Sequence, residues 1–318
     1  MSFSKEVIKQ STLLLDMMPF FLKKECFALH GGTALNFFIL NMPRLSIDID
    51  LTYLPIHEPF GQGVHQINKA LTEIAKEIQT EMPNVRIQKK YKSSKLIIEQ
   101  QGTRIKIEPN RSMRGTISKP EVLSLSPKAK AFFKKDIHMR CCPKEQVFGG
   151  KFSAALSRKL VRDLFDVHQI FQHTSFNEKI KEGFFYAILS NNNSIANHFL
   201  IPIEHRRNPI RKEIAGLFES PLVEKQYQET FEQLLNTLLS ALTEKDKQFL
   251  LDFKQGNRLN RYDWLGYPSI LWKQQHVMLL KKERPSSYQK LLNRLKTAIH
   301  ADAPNHSVDP LAPRNIDY

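Results

Sequence analysis

The stretch running from Gly31-Gly32-Thr33-Ala34-Leu35 to Ser46-Ile47-Asp48-Ile49-Asp50-Leu51 constrains this chain more than any other. Two glycines open an apolar helix. Two aspartates follow, one residue apart, in a run rich in Ile and Leu. In an extended strand, residues i and i+2 point to the same face. Asp48 and Asp50 therefore project together, while Ile47, Ile49 and Leu51 point the other way, into a core. Neighbouring carboxylates repel and need a compensating cation, and their hard oxygens suit Mg²⁺. The Gly-Gly turn offers bare backbone N–H groups at a helix N-terminus, a place for phosphate. A phosphate cradle beside a two-carboxylate metal site points to phosphoryl or nucleotidyl transfer.

The 318 residues suffice for two domains and a sizeable core. Lys and Arg number 47 against 32 Asp and Glu, a net charge of +15. An acidic partner is expected, nucleic acid first; a basic protein with no nucleic-acid role is the plainer alternative. Cys26, Cys141 and Cys142 form no CxxC pair, which reads as a reducing compartment without a zinc site. The histidines show no HExxH spacing. The N-terminus MSFSKEVIKQ begins an amphipathic helix rather than a signal peptide, and no apolar run reaches the ~18–20 residues that span a bilayer. The expectation is a soluble, cytoplasmic protein.

Apolar periodicity predicts a helix over 4–26, interrupted at Pro19, then a short strand at 27–29. A helix over 33–40 leads to the aspartate strand at 45–53. A helix over 66–80 and strands at 85–92, 95–100 and 103–109 complete an α/β unit of 1–145. Beyond it strand signals nearly vanish. Helices are expected over 151–172, 180–190, 209–218, 221–242 and 268–281, forming a helical domain of 146–300. The last residues, 301–318, read as a flexible tail.

Glu108 ends the strand Arg104-Ile105-Lys106-Ile107-Glu108, on the face opposite the isoleucines. It is a candidate third carboxylate, as metal ligand or base. The alternative is an exposed strand Glu paired with Lys106 or Arg104. In a continuous helix over 151–172, at ~100° per residue, Lys151, Arg158, Arg162 and Asp166 share an arc of roughly 80°. Asp163 falls outside it and reads as structural. The shared face suits a polyphosphate; a solvated face with an Arg162–Asp166 pair is the alternative. Tyr262, Trp264, Tyr267 and Trp272 lie among Arg258, Arg261 and Lys273. They can stack single-stranded bases or fill a core, with Trp272 expected in the core. The run from Glu204 to Lys212 can meet phosphates or form a solvated loop.

Taken together, the motifs resemble the AbiEii/AbiGii family, toxins of type IV toxin–antitoxin and abortive-infection systems within the DNA polymerase beta-like nucleotidyltransferases. The likeness rests on Gly31-Gly32-Thr33-Ala34-Leu35 with Arg44 to Leu51, then Lys106-Ile107-Glu108. It continues through Lys151, Arg158, Arg162-Asp163 and Asp166, and weakly through Pro268 to Lys273. It spans roughly 1–280. Leu164-Phe165 stands where a Tyr often precedes the last Asp, and Cys141-Cys142 and the 110–145 connection have no counterpart.

The resemblance implies an α+β fold, with an N-terminal nucleotidyltransferase-like mixed sheet and a mainly helical C-terminal domain contributing to an active-site cleft. It implies a toxin that moves NMP from an NTP to a nucleic-acid acceptor such as the 3′ end of tRNA, with pyrophosphate leaving. A cognate antitoxin encoded nearby would be a further partner. Asp48 and Asp50 would bind Mg²⁺, or Mn²⁺ in its place. Gly31, Gly32, Thr33 and Ser46 would hold phosphates. Lys151, Arg158 and Arg162 would neutralise the triphosphate, Asp166 would orient Lys151 or the nucleotide, and Glu108 would complete the catalytic set. Modification of a small molecule or protein, and a non-catalytic RNA-binding module, are the alternatives.

Overall fold

The computed structural model describes residues 3–158, 160–200 and 216–300. They fall into two compact units, one of 3–147 with 216–221 and one of 148–200 with 222–300.

The first unit is built on a mixed sheet of seven strands: β1 (Phe27–His30), β2 (Asp48–Tyr53), β3 (Arg86–Lys90), β4 (Lys95–Gln100), β5 (Thr103–Arg114), β6 (Glu121–Ser124) and β7 (His138–Cys141). Their order is β3-β4-β5-β2-β1-β7-β6. The β2–β5 and β1–β7 pairs are parallel and the rest antiparallel. Helix α1 (Lys5–Leu22) starts at Ser4, whose hydroxyl accepts from the Val7 N–H at 3.2 Å. It contacts β5 and β7, and buries Leu14, Leu15, Met17 and Phe21. Pro19 lies inside the helix without ending it. After β1 come α2 (Gly31–Thr33) and a π-helical stretch, Ala34–Ile39. Helix α3 (Phe60–Glu81) sends Ile67, Leu71, Ile74 and Ile78 onto the sheet.

The connection over 110–145 holds more than an unassigned loop. β5 runs on to Arg114, and β6, helix α4 (Pro127–Phe133) and β7 follow. β7 lies next to β1 and contributes buried Met139 and Cys141 to the core. Burial pushes the Cys26 thiol up to about 11 and the Cys142 thiol to about 12, so neither is a ready nucleophile.

Helix α5 (Lys144–Arg158) crosses the unit boundary in sequence. The second unit continues with α6 (Val161–His173), α7 (Glu178–Ser190), α8 (Glu224–Ser240), α9 (Glu244–Gln255), α10 (Pro268–Glu283) and α11 (Pro285–Ile299). Gly149 lets α5 meet the α7 backbone at Gly183, where any Cβ would collide. A buried ion pair joins Lys181 to Asp246 at 2.7 Å, and Arg261 adds a second cation at 2.6 Å. The expected helix over 209–218, the run Glu204–Lys212 and the tail 301–318 lie wholly or largely outside the described residues.

Candidate active site

The Gly-Gly turn and the aspartate strand are built against each other. Gly31 has φ +70, a conformation that side chains disfavour, and a Cβ there would overlap Asp50 Oδ2. The turn is pinned by hydroxyls. Thr33 Oγ1 lies 2.5 Å from the Asp48 carbonyl oxygen and 2.9 Å from Ser46 Oγ. The carbonyl only accepts, so Thr33 donates to it and Ser46 donates to Thr33. Ser11 of α1 in turn donates to the Ser46 carbonyl at 2.9 Å. Thr33 and Ser46 are buried, so their hydroxyls shape the turn. The Gly32 carbonyl accepts from the Asn36 amide at 2.9 Å.

Asp48 and Asp50 are half-buried and alternate with buried Ile49 and Leu51. Register then assembles a row of side chains on the aspartate face. His30 pairs with Asp50 across β1–β2, and Asp50 pairs with Glu108 across β2–β5. Asp48 pairs with Lys106. Glu108 therefore stands beside Asp50, but its carboxylate is held by Lys95 of β4 at 2.7 Å. That partner is neither Lys106 nor Arg104. Among the described residues no three His, Cys, Asp or Glu side chains converge as a ready metal cage. Asp48 and Asp50 make a two-carboxylate donor set, and Glu108 is turned to a lysine.

The helical unit corrects the angular argument. The expected helix over 151–172 is two helices. α5 ends at Arg158, and Leu160 is extended, with φ −78 and ψ 139, before α6 begins. The break resets the rotation, so Lys151, Arg158, Arg162 and Asp166 do not share one helical stripe. Asp163, read from the wheel as lying off the face, joins the cluster. Lys151 Nζ is 3.3 Å from Asp163 and 2.8 Å from Asp166, and Arg158 is 3.0 Å from Asp163. Both aspartates are fully buried and Lys151 is 7% exposed, while the Arg158 side chain is 52% exposed. The result is a buried Lys–Asp–Asp group that presents one guanidinium outward. Arg162 sits half-buried in the first turn of α6.

The aromatic segment is mostly core. Trp264 is buried, stacks on Tyr262 with ring centroids at 4.7 Å, and donates to Glu182 at 2.8 Å. Trp272, expected in the core, is 46% exposed instead. Lys273 donates to the carbonyls of Ile188, Asn191 and Asn193 at 2.6–2.9 Å, closing the C-terminal end of α7. A buried pair escaped the sequence reading: Ser153 of α5 meets His198 at 3.0 Å. Burial, with Lys273 as a lesser cause, pushes the His198 pKa down to about 3.

An acidic strand beside a Gly-Gly turn, on a mixed sheet followed by helices, suits a nucleotidyltransferase. Over residues 12–262 the sequence matches the family model of the nucleotidyl transferase AbiEii toxins of type IV toxin–antitoxin systems, and the chain belongs to that family. It is a nucleotidyltransferase toxin, and the family implies an NTP substrate and a cognate antitoxin. Among solved structures the chain is similar to MenT4, a nucleotidyltransferase toxin from Mycobacterium tuberculosis H37Rv. The TM-score is 0.57 at 13% identity, covering 92% of this chain and 95% of that one. At that identity the likeness speaks for the fold. No curated protein matches significantly.

Proposed function

We propose that the chain transfers a nucleoside monophosphate from an NTP to a nucleic-acid acceptor, such as the 3′ end of tRNA, with pyrophosphate leaving. One observation carries the reading: Asp48 and Asp50 share a half-exposed face of β2, and the Gly31 turn is fitted against the Asp50 carboxylate. The net charge of +15 favours a nucleic-acid acceptor over a small one.

A two-carboxylate set fits Mg²⁺, which commonly takes one or two carboxylates and fills its other positions with water and substrate phosphate. Asp48 and Asp50 would hold it, with Mn²⁺ as the substitute. When bound, the ion supplies charge neutralisation at the phosphoryl oxygens and acidifies a ligated hydroxyl.

The chain's own residues do the remaining work, mostly positioning and charge stabilisation. Gly31 and Gly32 bring bare backbone to the β- and γ-phosphates, with Thr33 and Ser46 holding the turn in shape. In the helical unit, Arg158 presents an outward guanidinium of the kind that binds phosphate, and Arg162 is a second cation. Lys151, bound by Asp163 and Asp166, has its charge balanced within the group and ties α5, which carries Arg158, to α6. Glu108, beside Asp50 in register, takes up the acceptor's proton or joins the metal set when Lys95 lets it go. The test is incubation with each labelled NTP, Mg²⁺ and total RNA. Label on a discrete RNA band is expected; label confined to protein or small molecules would replace the acceptor in this reading.

A further inference from the structure

The face of the sheet that carries Asp48 and Asp50 continues outward over β5, β4 and β3. In-register neighbours share a face, so the pairings extend it residue by residue. Lys106 lies beside Asp48, and Arg104 lies two residues back along β5. Lys95 lies beside Glu108, and Lys90 beside Lys95. Glu99 stands between Arg104 and Arg86. Beyond the Lys95–Glu108 pair, the face holds Arg86, Lys90, Arg104 and Lys106 against one carboxylate, Glu99, with Gln88 and the buried Ile97 between them.

All four cations are exposed. Among the described residues, none of the four is engaged in an ion pair, whereas Lys95 is. The opposite face of these strands is apolar, with Ile87, Leu96, Ile98, Ile105 and Ile107, and takes the contacts of α3 and α1. Leaving four like charges unpaired on one side of a sheet costs self-repulsion that a polyanion relieves. The turn from β3 to β4 adds Tyr91, 53% exposed, between Lys90 and Lys92. Cations beside an exposed aromatic suit single-stranded nucleic acid, which has free base faces to stack. Arg and Lys side chains that meet phosphates position a strand without reading its sequence.

We infer that the open face of β3, β4 and β5 binds the single-stranded 3′ end of the acceptor RNA through its phosphates and leads it to Asp48 and Asp50. The inference rests on the nucleic-acid reading above. Four contacts to single-stranded phosphates imply a log–log salt slope of about −2.8, hence about fifty-fold weaker binding at 200 mM than at 50 mM salt.

The experiment titrates a fluorescently labelled single-stranded RNA into the full chain over that salt range. The variants are Arg104→Gln/Lys106→Gln, Arg86→Gln/Lys90→Gln, Tyr91→Ala and, as a charge control, Lys245→Gln/Lys290→Gln. Each face pair should weaken binding by at least ten-fold at low salt and flatten the slope by about 1.4, equally for different RNA sequences. Tyr91→Ala should weaken single-stranded RNA more than a duplex of the same length. The control pair should bind as the unmodified chain does, and NTP affinity should stay unchanged throughout. If the unmodified chain binds no RNA at low salt, the nucleic-acid reading itself falls. If it binds and the face pairs bind equally well, or the control weakens binding as much, the acceptor lies elsewhere and only this inference falls.

Discussion

At Gly31 an added methyl group meets two obstacles. The glycine's φ of +70 disfavours any side chain, and a Cβ would overlap the Asp50 carboxylate. Gly31→Ala should cost ~1–3 kcal/mol of stability and displace Asp50, lowering transfer at least a hundred-fold at matched folded fraction. Denaturant midpoints with steady-state transfer test both parts; wild-type activity in a folded variant would separate Asp50 from the reaction. Asp48→Asn and Asp50→Asn change charge and not shape. Both side chains are half-exposed, so the fold should survive while transfer is lost. Calorimetric Mg²⁺ titration should lose its heat in parallel, and a variant that keeps activity would overturn the metal assignment. Glu108 teaches a different lesson. Its strand and face are legible from alternation alone, but its partner is not. Lys95 comes from a neighbouring strand, and register decides which cation it meets.

At the scale of elements, the strand–turn–strand around Gly31 and Asp48 is legible because its signals are local: paired glycines, then period-two alternation. The α5–α6 break is illegible because no Pro or Gly marks it; only the extended Leu160 does. That one break moves Asp163 from bystander to partner of both Lys151 and Arg158. β6 and β7 escape for a related reason: four residues each are too few to show a period. Trp264 and Trp272 differ in burial without differing in composition, since packing alone separates them. Breaking the buried cluster should be severe. Lys151→Ala should destabilise by ~3–5 kcal/mol, because it strands two buried carboxylates, and Asp163→Ala or Asp166→Ala by less, because each leaves Lys151 one carboxylate. Urea unfolding checks this, and a silent Asp163→Ala would restore the single-helix geometry. His198 sets a pH dependence in the same unit. Its folded pKa is depressed to about 3, so it stays neutral in the fold while the unfolded chain protonates near 6.5. Stability is complete above the unfolded value and falls as pH drops toward the folded one, by at most ~1.4 kcal/mol per pH unit. The depressed His168 acts in the same direction. Unfolding at pH 7 and 5.5 should show the loss, and His198→Asn should flatten it.

On the proposed reaction, two properties must coincide for toxicity of the whole molecule: a competent carboxylate pair and access to an acceptor the cell cannot spare. No helix among the described residues is long and apolar enough to cross a membrane. The family is one of nucleotidyltransferase toxins, so the expected harm is chemical. Expression without the antitoxin should therefore arrest bacterial growth. Asp48→Ala should relieve the arrest completely at equal protein level, because catalysis is gone while the basic surface is intact. The Arg104→Gln/Lys106→Gln pair should relieve it only in part, because the carboxylates remain and acceptor binding is merely weakened. This ordering separates catalysis from sequestration. A protein that killed by coating RNA would stay toxic as Asp48→Ala and lose toxicity with the face pair. Growth curves at matched expression read the order directly. A reversal of that order would assign the harm to binding and leave the transfer reaction without a role in it.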